Sequence, residues 1–142
     1  MNTKLTTSAQ SALERAQAEA IRREHQELKP EHVVYAFLTD ESPSAIIPNI
    51  LKISGVDGSR VVRELEEELK KQPRVSGGDG QIYGSAALNR LMVLAQDEAK
   101  NSKDEYVSGE HFLLALFSSQ LKDSLAAKSL ARAGLNREKV LE

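Results

Sequence analysis

Metal or acid–base chemistry in this chain would fall to three histidines and 21 carboxylates, since cysteine is absent. Two of the histidines stand with a preceding glutamate near the start of an apolar run, as Glu31-His32 and Glu110-His111. A zinc site needs three or four ligands converging on one point. Consecutive helical residues diverge by about 100°, and His25 is the only other imidazole. Each pair therefore reads as a helix start, where the glutamate favours the positive end of the helix dipole. The histidine packs or caps within the same turn. Nucleophilic catalysis has less support, because no Gly-x-Ser-x-Gly elbow exists and no serine stands in a distinctive arrangement. The run Gly77-Gly78-Asp79-Gly80 resembles a phosphate-cradling loop only superficially. No Gly-Lys-Ser/Thr follows to supply the phosphate-binding lysine and the magnesium-binding hydroxyl. It reads as a flexible connector.

The two Glu-His pairs lie 79 residues apart, and the same offset carries Ala16-Gln17 onto Ala95-Gln96 and Glu19-Ala20 onto Glu98-Ala99. It also carries Ala36 onto Ala115, Leu51 onto Leu130 and Gly55 onto Gly134. No gap is needed. Residues 1–142 are expected to form one domain, with repeat one over about 6–72, a connector over 73–84 and repeat two over about 85–142. Stacked units of this kind bury a shared core that neither closes alone.

Helical spacing runs throughout and strand signals are nearly absent. Ala9, Ala12, Leu13, Ala16 and Ala20 form the apolar stripe of a first helix, with Thr6 or Thr7 as its cap. Pro30 opens a second helix to about Leu38, in a position where its missing N–H costs nothing. A turn around Asp40-Glu41-Ser42-Pro43 leads to a short helix stopped at Gly55, with Pro48 either beginning its regular part or kinking it. Asp57 then caps a longer amphipathic helix. Repeat two redraws this plan from about Ser85 to Lys100, Gly109 to Phe117 and Asp123 to Ala133, with Asn136 capping a last helix. The expected fold is all-α, about eight helices in a pseudo-two-fold bundle.

Net charge is −2, with 40% hydrophobic and 28% charged residues, an ordinary folded composition. No basic stripe exists to neutralise phosphates, which argues against nucleic acid as a partner. No apolar run reaches the ~18 residues of a membrane span, so no membrane partner is expected. The polar stretch from Met1 to Ser11 lacks a secretory apolar region. Cytoplasmic residence is the default expectation.

The copies differ most in one place. Val93 and Leu94 lie off the stripe formed by Leu88, Leu91, Met92, Ala95 and Ala99, and their counterparts in repeat one are Glu14 and Arg15. Two readings stay open: burial beneath connector residues Val75, Ile82 and Tyr83, or an exposed apolar groove for a partner, rimmed by Glu98, Asp104 and Glu110.

The stretch Pro73-Arg74-Val75-Ser76-Gly77, then Gln81-Ile82-Tyr83 and Leu88-Asn89-Arg90, leads into Asp104-Glu105-Tyr106-Val107-Ser108 and Glu110-His111. With Pro30-Glu31-His32 and Gly55-Val56-Asp57 of repeat one, it resembles the N-terminal domain of Clp-type AAA+ chaperones, and within them the ClpB disaggregases. That resemblance implies a double Clp N repeat without catalytic residues, which helps bring unfolded or aggregated polypeptide to an ATP-driven ring. It implies that ATP and magnesium belong to modules elsewhere on a longer chain, in a homohexamer with DnaK as co-chaperone. It implies Thr6, Asp104 and Glu110 in substrate handling, Leu94 in an apolar groove, and no cofactor or metal in this domain. The difference between the copies adds Val93 to the candidate binding residues, and Tyr83 of the connector joins them. Two positions depart from the family pattern: Ala9 stands near a place often bulky and apolar, and Glu98 at a groove position usually apolar. The alternatives are an adaptor-docking domain of a proteolytic Clp unfoldase and, in another class, a small helical metalloenzyme using His32 and His111.

Overall fold

The first helix, α1 (Thr7–Arg22), starts where the Thr6 hydroxyl accepts from the Ala9 N–H at 3.1 Å. Its stripe of Ala9, Ala12, Ala16 and Ala20 is fully buried, and these small side chains let α1 lie close against α2 (Pro30–Leu38). Repeat two builds the same pair as α5 (Ala86–Asn101), capped by Ser85, against α6 (Gly109–Leu116). Helices α2 and α6 are apolar nearly all round and form the centre of the domain, where the rings of Phe37 and Phe112 stand 5.5 Å apart. A computed structural model describes residues 4–42, 45–75 and 82–141. Its remaining helices are α3 (Ile46–Ile53), α4 (Gly58–Lys71), α7 (Leu125–Arg132) and α8 (Arg137–Leu141). The all-α bundle expected from helical spacing is the observed one.

The repeat extends to the backbone. Glu24 and Lys103 both have φ near +60°, and Gly55 and Gly134 are both left-handed, each pair 79 residues apart. A two-residue parallel ladder between β1 (Glu27–Leu28) and β2 (Tyr83–Gly84) was not legible in the residue pattern. Its mate is a single bridge between Leu5 and Val107. Under the offset of 79, Leu28 and Gly84 correspond to Val107 and Leu5, so the two pairings are one contact made twice. The chain entering each first helix thus pairs with the other copy. This exchange adds main-chain pairing to the core that the copies share, and it leaves the end of the connector ordered as β2, contrary to an irregular connector.

Smaller differences have local causes. Pro48 falls in the first turn of α3, where backbone N–H groups have no intrahelical partner, so no kink is needed. Helix α7 begins at Leu125, two residues beyond the expected start near Asp123, because the Ser124 hydroxyl caps it by accepting from the Ala127 N–H. Asn136 caps α8 as expected, accepting from the Lys139 N–H at 2.9 Å. Pro43 and the run Gly77 to Gly80 lie outside the described residues.

Gly109 starts α6 where a Cβ would come within 3.0 Å of Ile47 Cδ1 and 3.1 Å of Phe37 Cε1. Gly109→Ala is therefore expected to destabilise the domain by about 1–2 kcal/mol through overpacking, measurable as a lower urea midpoint with an unchanged slope.

Candidate functional site

Each Glu-His pair opens a buried helix, and the histidines do the same work in both copies. The Nδ1 of His32 accepts from the Lys29 N–H at 2.9 Å, and that of His111 accepts from the Ser108 N–H at 2.9 Å. Both rings reach back to the residue before the helix, as a glutamate or glutamine does in a capping box. With Nδ1 accepting, a neutral ring carries its proton on Nε2 and donates there. The copies then part. His32 Nε2 donates to His25 Nδ1 at 2.9 Å inside the core, whereas His111 Nε2 donates to Asp104 Oδ2 at 2.8 Å at the surface. His25 and Asp104 are counterparts under the offset. Burial pushes the His32 pKa down to about 4, with the neighbouring His25 adding to the effect.

Asp104, Glu110 and His111 bring ligand-type atoms within 4.8 Å of one another. An ion would need the lone pair of His111 Nε2, which exists in the neutral ring only if Nδ1 carries the proton. The Ser108 N–H pointing at Nδ1 opposes that tautomer. The geometry favours an orienting histidine that fixes the Asp104 carboxylate.

The glutamates also diverge. Glu31 is buried and its Oε2 accepts from the Ala126 N–H at 2.9 Å, so it caps α7 of the other repeat. The electrostatic role expected for it within its own helix is thus joined by a specific inter-repeat bond. Glu110 is half-buried and accepts instead from the Ser108 hydroxyl at 3.2 Å. Thr6 lies beside this cluster, its N–H donating to the Val107 carbonyl at 3.0 Å. The backbone therefore gathers Thr6, Asp104 and Glu110 around one turn.

Val93 and Leu94 stand about two turns into α5. Val93 is 48% exposed, so it is not covered by the described connector residues, while Leu94 packs partly against the core. In repeat one the position of Leu94 is held by Arg15, which donates to the Ala36 carbonyl at 2.8 Å and pairs with Asp40 at 3.6 Å. Arg15, Ala36 and Thr39 line one shallow pocket there. Their counterparts are Leu94, Ala115 and Ser118, so the ion-paired Arg15 of one copy is replaced by an aliphatic side chain in the other. Ser118 Oγ is the one buried side-chain polar atom among the described residues without a hydrogen-bond partner. Residue type alone gave no signal for it. Tyr83 is exposed on β2, ahead of α5.

Glu98 is held by both Nη atoms of Arg137 at 2.8 Å, and this pairing keeps its carboxyl below the usual carboxylate range. Its charge is tied to α8. Ala9, the other departure, is fully buried and belongs to the α1 seam.

Residues 4–133 match the family described as the Clp repeat (R) N-terminal domain. The chain belongs to that family. Over 141 residues it is 38% identical to the chaperone protein ClpB of Nitratidesulfovibrio vulgaris, covering 97% of this chain and 16% of that protein. The Clp N-domain thus spans about a sixth of the curated relatives it matches. Its fold is that of the Hsp104 N-terminal domain from Candida albicans, with a TM-score of 0.79 at 22% identity over 96% of this chain and 86% of that one. The N-domain of ClpV, solved in complex with a VipB peptide, superposes with a TM-score of 0.68 at 22% identity, covering 96% of this chain and 82% of that chain. No described helix is long and apolar enough to cross a membrane.

Proposed function

We propose that this Clp N-domain recruits unfolded or aggregated polypeptide for a ClpB-like ATP-dependent disaggregase. The observation that carries the reading lies on α5, where the exposed Val93 and the half-buried Leu94 replace the charged Glu14 and Arg15 of the other copy. Unfolded chains offer varied Leu, Ile, Val and aromatic side chains, and burying two or three gives a few kcal/mol before ordering costs. That suits weak capture and release. In this reading Thr6, Asp104 and Glu110 supply polar contacts to the same polypeptide, and the exposed Tyr83 an aromatic one. In the longer chain, ATP hydrolysis in a homohexameric ring would drive threading, with DnaK as co-chaperone, in the cytoplasm.

Leu94→Arg and Val93→Arg are each expected to weaken binding of a fluorescently labelled denatured protein about tenfold, the loss from one buried aliphatic side chain. The thermal midpoint of Val93→Arg should stay within about 2 °C, since Val93 is half exposed, whereas Leu94→Arg should lower it further because Leu94 packs partly against the core. Binding unaltered in both variants would remove α5 from the site. A second reading is favoured by the ClpV N-domain solved with a peptide: docking of a dedicated adaptor segment. It predicts saturable binding of one adaptor in preference to unfolded chains.

A further inference from the structure

Between α3 and the start of α4 lies a cavity of about 560 Å³, remote in sequence from Val93 and Leu94 of α5. Leu38, Leu51, Val56 and Val62 form its apolar floor, and Lys52 and Arg63 stand on its rim. Among the described residues neither cation is held in an ion pair. Asp57 also reaches the rim, held by the N–H and hydroxyl of Ser59 at 3.1 and 2.6 Å, and its carboxylate attracts Arg63, so one negative charge stands against two positive ones. The rim therefore keeps a net positive charge above an apolar floor. Repeat two does not reproduce this combination. The counterparts of Leu38, Lys52 and Arg63 are Phe117, Ala131 and Glu142, a bulkier ring and the loss of both cations. What the copies do not share is not required by the common fold.

A volume within the ~300–1,000 Å³ of small-ligand pockets takes one or two residues rather than a folded surface. The charge asks for an anion directly beside a large aliphatic group. In a polypeptide the free terminus meets that need best, because its carboxylate sits on the same Cα as the last side chain. An internal Glu would have to order a long side chain, losing up to about 2 kcal/mol of rotamer freedom. We propose that this cavity binds the C-terminal residue of a polypeptide ending in Leu, Ile or Val, with the side chain on the apolar floor and the carboxylate between Lys52 and Arg63.

The test uses the 142-residue chain and a labelled decapeptide ending in Leu-Leu with a free carboxylate. Three comparison ligands accompany it: the same peptide amidated, an amidated peptide with Glu as its penultimate residue, and decanoate. Expected results are saturable binding with amide shifts from Lys52 to Arg63, at least about fivefold weaker binding on amidation, and a similar loss in Lys52→Ala and Arg63→Ala. Val62→Phe, which fills the cavity from its floor, should abolish those shifts. Leu94→Arg should leave this binding unchanged, so its failure and failure of the α5 reading are separable. Equal affinity of the amidated or internal-Glu peptide would overturn the assignment to a chain terminus. Displacement of the peptide by decanoate at lower concentration than the peptide itself requires would overturn it in favour of a fatty acid.

Discussion

Acidification from pH 6.5 to pH 4 is expected to lower the stability of this domain by about 3 kcal/mol, mainly through one residue. His32 is fully buried with a pKa of about 4, against the ordinary 6.5. The unfolded chain takes up this proton as pH falls through 6.5, whereas the folded domain resists until about 4. Stability from this group is complete above pH 6.5 and lost progressively below it. His25, lowered by burial and by nearby Arg23, adds in the same direction. The physical cause is the tautomer chain: Lys29 N–H to His32 Nδ1, then His32 Nε2–H to His25 Nδ1. A proton added to His25 Nδ1 leaves two N–H groups facing each other at 2.9 Å. His32→Gln keeps a side chain able to cap the helix start and removes the ionisable group. Urea midpoints measured at pH 7, 5.5 and 4.5 should fall steeply in the parent and much less in the variant. A flat parent profile, or equal slopes in both, would sink this account.

The helices were legible because their stripes and stops are local. Pro30 to Leu38 is the observed α2, and Gly55 and Gly134 end their helices in left-handed geometry as their residue type suggests. The β1–β2 ladder was hidden because two residues carry no periodicity, and its pairing depends on the other copy. The site was half legible. Comparing Val93 and Leu94 with Glu14 and Arg15 located a difference in polarity, which depends on residue type alone. The orphaned Ser118 hydroxyl and the bidentate tie from Arg137 to Glu98 depend on neighbours far along the chain. No spacing rule reports those. His25 is the clearest case: its significance comes from facing His32, and its counterpart Asp104 looked related to it only once the two helix starts were compared in three dimensions.

Glu31 and Glu110 occupy the same place in the repeat, yet opposite outcomes are expected when each is replaced. Glu31→Ala removes the side-chain acceptor of the Ala126 N–H, in a residue wholly buried at the start of α7. An unsatisfied buried donor, formerly bonded to a charged acceptor, costs about 2–3 kcal/mol. The thermal midpoint should fall by roughly 8 °C for a domain of this size. Glu31→Gln keeps an acceptor oxygen and should recover about half of that loss. Glu110 is half-buried beside Ser108 and Asp104, and it bonds a hydroxyl that has His111 Nδ1 as a second neighbour at 3.2 Å. Glu110→Ala is expected to change stability by no more than about 0.5 kcal/mol while weakening capture of unfolded polypeptide severalfold. Differential scanning calorimetry and anisotropy titrations on the same two variants read both effects. If Glu110→Ala unfolded the domain as readily as Glu31→Ala, or bound clients as well as the parent, the polar cluster would belong to the fold alone. The expected contrast follows from geometry: in one copy the carboxylate reaches across to finish the other repeat's helix, and in the other it stays at the surface.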